Sequence, residues 1–259
     1  MIRKKPTSDH WIKFLGTAGA RFVMIKQLRA SGGLWIRSGL NNVLIDPGPG
    51  SIVRCAASRP KLDPTQLNAI ILTHRHLDHV NDANVMIEAM TEGGFKKRGV
   101  IFLPQDAISQ DPVILKHTQG YVGKIEVLEE SRRYEIGDFS FETTPKLRHP
   151  CETYGLKFSL NGTTVSLLSD TEYFKGLEEY FRTDVVIINV VFFDPHPGVQ
   201  HLSFDDAKKI IAEIKPKKAV LTHFGMTMIK ANPHFLAKRL SWETGMEVVA
   251  ASDGMSISF

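Results

Sequence analysis

The chain has 259 residues and is 42% hydrophobic, enough apolar material for one substantial core and for a single domain over residues 1–259. Its net charge of +4 fits an anionic substrate but is also ordinary for a soluble domain, and no nucleic-acid-binding motif accompanies it. No run of about eighteen apolar residues occurs, so no transmembrane helix is expected. The two cysteines, Cys55 and Cys151, lack the C-x-x-C spacing of a zinc or redox site.

Residues 1–6 are basic, but Asp9, His10 and Lys13 interrupt the apolar stretch of a secretion signal, which makes a cytoplasmic protein the expectation. A strand at 11–15 runs into the glycine turn Gly16-Thr17-Ala18-Gly19, and the chain is expected to pass from there to the next strand. Strands at 33–38 and 42–46 close on Pro47-Gly48-Pro49-Gly50, and 51–58 reads as a short helix capped by Ser51. The apolar run 69–73 is a strand, followed by a histidine-rich loop and a helix over 82–90 that ends at Gly93-Gly94. Another strand falls at 100–103, while 105–130 shows no clear period and is expected as a lid or wall. Asn161-Gly162 between the runs 156–160 and 163–168 signals a hairpin. The continuous apolar run 184–191 suits a buried strand, and 204–214 reads as an amphipathic helix with a Ser203/Asp206 capping box. A strand at 218–222, a helix at 233–242 and strands at 247–251 and 256–259 complete the chain. Meanders early and strand–helix alternation later match two packed sheets with helices outside.

The chemistry concentrates in His74-Arg75-His76-Leu77-Asp78-His79, the pattern H-x-H-x-D-H directly after the apolar strand at 69–73. Imidazole nitrogen and carboxylate oxygen suit zinc, manganese or iron(II). Four such groups at a strand terminus would repel one another or waste hydrogen bonds without a cation between them. Further ligand-type residues stand in similar contexts. His149 lies in Leu147-Arg148-His149-Pro150, Asp170 ends an apolar run, and His223 ends another. In α/β sheets the carboxyl ends of strands share one rim, where ligand sites form.

In this order these residues resemble the metallo-β-lactamase-fold hydrolases, and the resemblance covers nearly the whole chain. It implies an α/β fold, a four-layer αββα sandwich, holding two divalent cations, with zinc first and manganese or iron(II) as alternatives. His74, His76 and His149 would hold the first metal; Asp78, His79 and His223 the second; Asp170 would bridge them. The metals would share and deprotonate a bridging water, and Asp78 would orient it with its free oxygen. Flavodiiron oxidoreductases of this fold carry Glu where His76 stands, so the resemblance is to hydrolases.

Within the family, Gly16-Thr17-Ala18-Gly19, His149 followed by Tyr154-Gly155, Ser169-Asp170-Thr171 and His201-Leu202-Ser203-Phe204 are similar to the phosphodiesterase branch. That branch includes tRNA 3′-processing endonucleases, a cyclic phosphodiesterase of phosphonate degradation and a quinone-cofactor biosynthesis protein. The likeness implies a small or cyclic phosphodiester as substrate and a catalytic pair, Asp78 and His201, with His201 protonating the leaving oxygen. The tRNA-gripping arm and the cysteine-rich insertion of branch members are missing from the sequence. Nucleic acid is therefore compatible as a partner but not indicated, no membrane is expected, and a homodimer is compatible. Two rival readings stand: a lactone- or thioester-type hydrolase, and a metal-bound carrier in cofactor biosynthesis. Asp46 reads either as an acid orienting a metal-bound histidine or as a turn former, and Cys151 either as a neighbour of the site or as packing. Phe192 and Phe193 line a pocket or belong to the core. His10, His117, His196 and His234 match no motif and read as surface or structural residues.

Overall fold

Fourteen strands alternate with eight α-helices in a computed structural model that describes residues 9–109 and 111–259, so the basic segment 1–6 lies outside the described residues. In chain order the strands are β1 (His10–Phe14), β2 (Leu34–Ser38), β3 (Asn41–Ile45), β4 (Ala69–Ile71), β5 (Arg98–Leu103), β6 (Val122–Val127) and β7 (Arg133–Ile136). They continue as β8 (Phe139–Lys146), β9 (Tyr154–Leu160), β10 (Thr163–Leu168), β11 (Val185–Asn189), β12 (Lys218–Thr222), β13 (Glu247–Ala250) and β14 (Ser256–Ser258). The helices are α1 (Ala20–Ile25), α2 (Ser51–Ala57), α3 (Leu77–Val80), α4 (Ala83–Met90), α5 (Lys116–Gln119), α6 (Phe204–Ile214), α7 (Met226–Lys230) and α8 (Pro233–Thr244).

The strands form two seven-stranded sheets, ordered β14-β1-β2-β3-β4-β5-β6 and β13-β12-β11-β10-β9-β8-β7. Strand β4 shows why they stack. Ala69 and Ile71 point into the core between the sheets, while Ile70 points the other way, into the core beneath α2 and α4. Strand β11 repeats this, with Val185 and Ile187 between the sheets and Val186 and Ile188 under α6 and α8. A strand covered on both faces must be apolar throughout, which is why these runs show no alternation. The result is the αββα sandwich. Among the described residues no helix is long and apolar enough to cross a membrane.

Strands β3 to β6 run parallel, as do β10 to β13. Parallel strands bring their carboxyl ends to one side, and the residues leaving β3, β4, β10 and β12 include Asp46, His74, Asp170 and His223. Asn161 and Gly162 both take positive φ (49° and 78°), as the hairpin turn requires. The Ser203/Asp206 capping box is formed at the start of α6.

Two expectations are corrected and a third holds in part. Ser51 is not the cap of α2: Gly50, left-handed at φ 87°, holds that position, and Ser51 Oγ donates to the Gly48 carbonyl at 2.8 Å. The glycine turn at 16–19 leads into α1 before the next strand, a helix too short to show a period. Of the lid-or-wall expectation for region 105–130 the wall holds in part: among the described residues Asp106 and Asp111 to Val113 border the site, whereas β6 is the edge strand of the first sheet and not a lid.

Phe102 on β5 spans the two sheets, its ring edge-on to Tyr134 (5.4 Å) and Phe141 (5.1 Å) and fully buried. Truncating it leaves a cavity that both sheets line. In urea titrations of the metal-free protein, Phe102→Ala is expected to lower unfolding free energy by about 3–5 kcal/mol. Exposed Leu40→Ala should stay within about 0.5 kcal/mol of the parent.

Candidate metal centre

The rim residues converge because the backbone bends sharply there. Asp46 and His223, each leaving a strand, adopt left-handed conformations with φ of 52° and 59°. Such strain in non-glycine residues persists only where surrounding contacts hold it. Glycines let the loops close over these turns: a Cβ on Gly19 would lie 2.1 Å from the His223 carbonyl oxygen, and one on Gly48 would lie 2.0 Å from that of Asp78.

Two groups of side chains face each other across the rim. In the first, His74, His76 and His149 bring ligand-type atoms within 4.8 Å of one another; in the second, Asp78, His79 and His223 do the same. Asp170 lies between, its Oδ2 3.8 Å from His74 Nε2 and 3.5 Å from His79 Nε2. All seven residues singled out as ligands in the sequence are thus brought together. His201 joins them, with Nδ1 3.5 Å from Asp170 Oδ2 and its ring 5.1 Å from that of His149.

Hydrogen bonds behind the cluster fix which atoms face inward. His79 Nδ1 donates to Asp46 Oδ2 at 2.9 Å, leaving Nε2 inward, and His149 Nδ1 donates to the Gln200 carbonyl at 2.9 Å with the same result. His74 Nδ1 sits 3.1 Å from Thr73 Oγ1. That hydroxyl donates to Asp46 Oδ2 (2.7 Å) and accepts from Ser169 (2.9 Å), so the imidazole is the donor and its Nε2 lone pair points at the cluster. Asn189 Nδ2 donates to Asp170 Oδ1 at 2.8 Å, reserving Oδ2 for the centre. Asp46 therefore acts behind the histidines. Asn189 and Thr73 were not singled out from the sequence; the available signal was a polar residue ending an otherwise apolar strand.

The electrostatics call for a cation. Burial pushes His74 and His76 below the usual histidine range and brings His149 down to about 4, so these three present neutral imidazoles. His79 is the exception. Burial opposes its charge, yet Asp78, Asp46 and Asp170 outweigh burial and hold it well above the ordinary value, so a proton there stands in for a missing positive charge. Burial also opposes charge on Asp78 and Asp170, but the facing histidines keep both carboxyls well below their usual range. Ring nitrogens approach head-on, His79 Nε2 to His223 Nε2 and His149 Nε2 to His76 Nδ1, each at 3.0 Å. Among the described residues buried His74 Nε2 has no hydrogen-bond partner. Close-set ring nitrogens, an orphaned imidazole nitrogen and surrounding carboxylates fit divalent metal ions.

Around the mouth, Arg75 bonds the Asp106 carbonyl (3.2 Å) and Asp111 Oδ2 (2.7 Å), and Cys151 Sγ lies 3.8 Å from His76 Nε2, the ring edge turned away from the cluster. Cys151 is a neighbour of the site, whereas Cys55 lies on the buried face of α2, where burial pushes its thiol up to about 12. His10 lies on β1, while His117 and His234 sit beside Glu88 and Ser252, away from the cluster. His196 is exposed but stacks on Phe192 near His201.

Comparison with known proteins agrees with this geometry. A family model described as a β-lactamase superfamily domain matches residues 41–224, which span every cluster residue from Asp46 to His223. The chain is 32% identical over 258 residues to uncharacterized protein MJ1374 of Methanocaldococcus jannaschii, covering 95% of this chain and 94% of that one. It is 25% identical over 215 residues to the probable metallo-hydrolase YhfI of Bacillus subtilis, covering 80% and 81% of the two chains. The crystal structure of YhfI superposes with a TM-score of 0.79 at 22% identity, over 98% of this chain and 100% of that one. A diphosphatase from the PhnP family superposes at 0.71 with 20% identity, over 96% and 97% of the chains. The short form of human tRNase Z gives 0.67 with 19% identity, over 96% and 98%. With its sandwich fold, its rim of imidazoles and carboxylates and this match across the whole rim, the chain belongs to the β-lactamase superfamily as a metallo-hydrolase.

Proposed function

We propose that this chain is a dinuclear metal-dependent phosphodiesterase acting on a small or cyclic phosphodiester. The observation that carries the reading is the position of His201. It is a half-buried imidazole with Nδ1 3.5 Å from Asp170 Oδ2, beside the two facing groups of His74, His76, His149 and Asp78, His79, His223, although with His149 and Asp170 it also brings ligand-type atoms within 4.8 Å of one another. Hydrolysis by the metals alone needs no such residue, but a poor alkoxide leaving group needs a proton. Two proteins of the same fold carry the names diphosphatase and tRNase Z, which are compatible with cleavage at phosphorus.

On this reading His74, His76 and His149 would hold one cation and Asp78, His79 and His223 the other, with Asp170, which lies between the two groups, shared by both. The bound cations supply a nucleophile active at neutral pH and a clamp for the phosphate oxygens. The chain's residues do the rest. Asp46, Gln200 and Asn189 orient His79, His149 and Asp170 through the bonds already described. Asp78 turns Oδ2 towards His79 Nε2 (3.8 Å) and His223 Nε2 (3.4 Å), so it would offer that oxygen to a cation and keep the other free to orient a water. His201 has Nδ1 towards Asp170, which leaves Nε2 on the far edge of its ring to give a proton to the departing oxygen. Burial pushes the free His201 below the usual histidine range, with Asp170 opposing. An anionic phosphate seated beside it would favour the protonated form.

Three experiments test the assignment. Metal-free protein reloaded with zinc, manganese or nickel is expected to hydrolyse bis(p-nitrophenyl) phosphate, and Asp78→Ala to abolish that turnover. Activity confined to a p-nitrophenyl ester or a lactone would sink the phosphodiester reading. His201→Ala is expected to keep its metal content by elemental analysis and to lose about 10²–10⁴-fold in turnover, most steeply for diesters with poor leaving groups. In chelator competition, Asn189→Ala is expected to bind metal about 10–100-fold more weakly, because Asp170 loses the bond that fixes its free oxygen.

A further inference from the structure

Leaving the metal cluster on the His201 side, a line of aromatic rings runs outward. His149 and His201 are 5.1 Å apart between ring centroids, Phe192 stands edge-on to His201 at 6.1 Å, and His196 stacks on Phe192 at 5.0 Å with 28° between the planes. The neighbouring Phe193 takes the opposite course. It stacks at 6.3 Å and 14° on Phe204 of α6 and packs against the helix-side core. Phe193 thus serves the fold, while Phe192, half-buried, turns its ring to the mouth.

His196 has no such structural duty. It is exposed, and among the described residues its ring makes no hydrogen bond. Its backbone is nevertheless held. Pro195 and Pro197 flank it and restrict its torsions, and the loop closes on bonds from Val199 N to the His196 carbonyl (3.2 Å) and from His201 N to the Val199 carbonyl (2.8 Å). An exposed planar ring kept in one place by two prolines and a stacked neighbour offers a flat surface with little entropy left to lose on binding.

Resting on the phosphodiester reading above, we infer that Phe192 and His196 form a stacking platform for a planar heteroaromatic group on the substrate, so that the substrates are nucleotide-like diesters. The platform adjoins His201, so the planar group belongs to the part of the substrate that His201 protonates and releases. Stacking tolerates any base, because every base offers a π face. The platform therefore selects for a nucleobase without selecting which one.

The test is a calorimetric titration of the zinc-loaded protein with adenosine 5′-monophosphate and with ribose 5-phosphate, which share phosphate and sugar and differ only in the base. Adenosine monophosphate is expected to bind about tenfold or more tightly than ribose 5-phosphate, in line with about 1–3 kcal/mol per stacked base. His196→Ala and Phe192→Leu should each remove most of that advantage and leave ribose 5-phosphate affinity unchanged. His196→Phe should restore it. The exposed position of His196 keeps its variants informative even where Phe192→Leu perturbs the fold. Equal affinities in the parent protein, or an advantage that survives in both variants, would overturn the platform while leaving the diesterase reading intact. Failure of both phosphates to bind the metal-loaded protein would overturn the phosphodiester reading and the platform with it.

Discussion

The carboxylate of Asp46 is the joint on which the rest of the centre turns. Buried and left-handed at the end of β3, it accepts from Thr73 N (2.7 Å), Thr73 Oγ1 (2.7 Å) and His79 Nδ1 (2.9 Å). Thr73 Oγ1 in turn receives Ser169 of the opposite sheet and holds His74. One carboxylate thereby ties β3, β4, α3 and the end of β10 into a single hydrogen-bonded frame. An unpaired polar group in such a place costs about 1–3 kcal/mol, so the members of the frame depend on one another.

That frame makes a concentration of charge-bearing groups tolerable. Imidazoles and carboxylates crowd a site in which His74 and Asp170 are almost fully buried. Neutral imidazoles gather on the His74, His76 and His149 side, while the carboxylates press a proton onto His79. The folded chain spends stability to hold this arrangement, and a divalent cation is the natural compensation. Fold and chemistry are coupled through the parallel strands, because only parallel neighbours deliver their last residues to the same rim.

Much of this was legible in the sequence. The H-x-H-x-D-H run after an apolar strand, and the isolated His149, Asp170 and His223, each carry local evidence of a strand end and a ligand-type side chain. Hairpin 161–162 and the α6 capping box were legible for the same reason: each is decided within a few residues. Less was readable where local pattern is weak. Helix α1, at six residues, shows no period, and β6 alternates poorly because it is an edge strand with an exposed face. Ser51 is a good capping residue by type, yet the left-handed Gly50 took the cap. Asn189 stands inside a run that reads as continuously apolar, and nothing local marks its role, since its partner Asp170 is 19 positions away.

The sequence by itself indicated two packed sheets with helices outside and residues of a type able to hold metal, because strand-like runs and ligand type are local properties of the chain, and the resemblance to a family supplied the αββα layering and the full ligand set. Only the tertiary structure decided how those residues face one another. It turned each imidazole to present a particular nitrogen, made Asp46 an orienting acid rather than a turn former, placed Asn189 behind Asp170, and separated Phe193 in the core from Phe192 at the mouth. The physical reason is that most of these roles rest on contacts between segments far apart along the chain, such as Asn189 with Asp170 across 19 positions and His79 with His223 across 144. No local pattern records such a distance; the packing of the two sheets does.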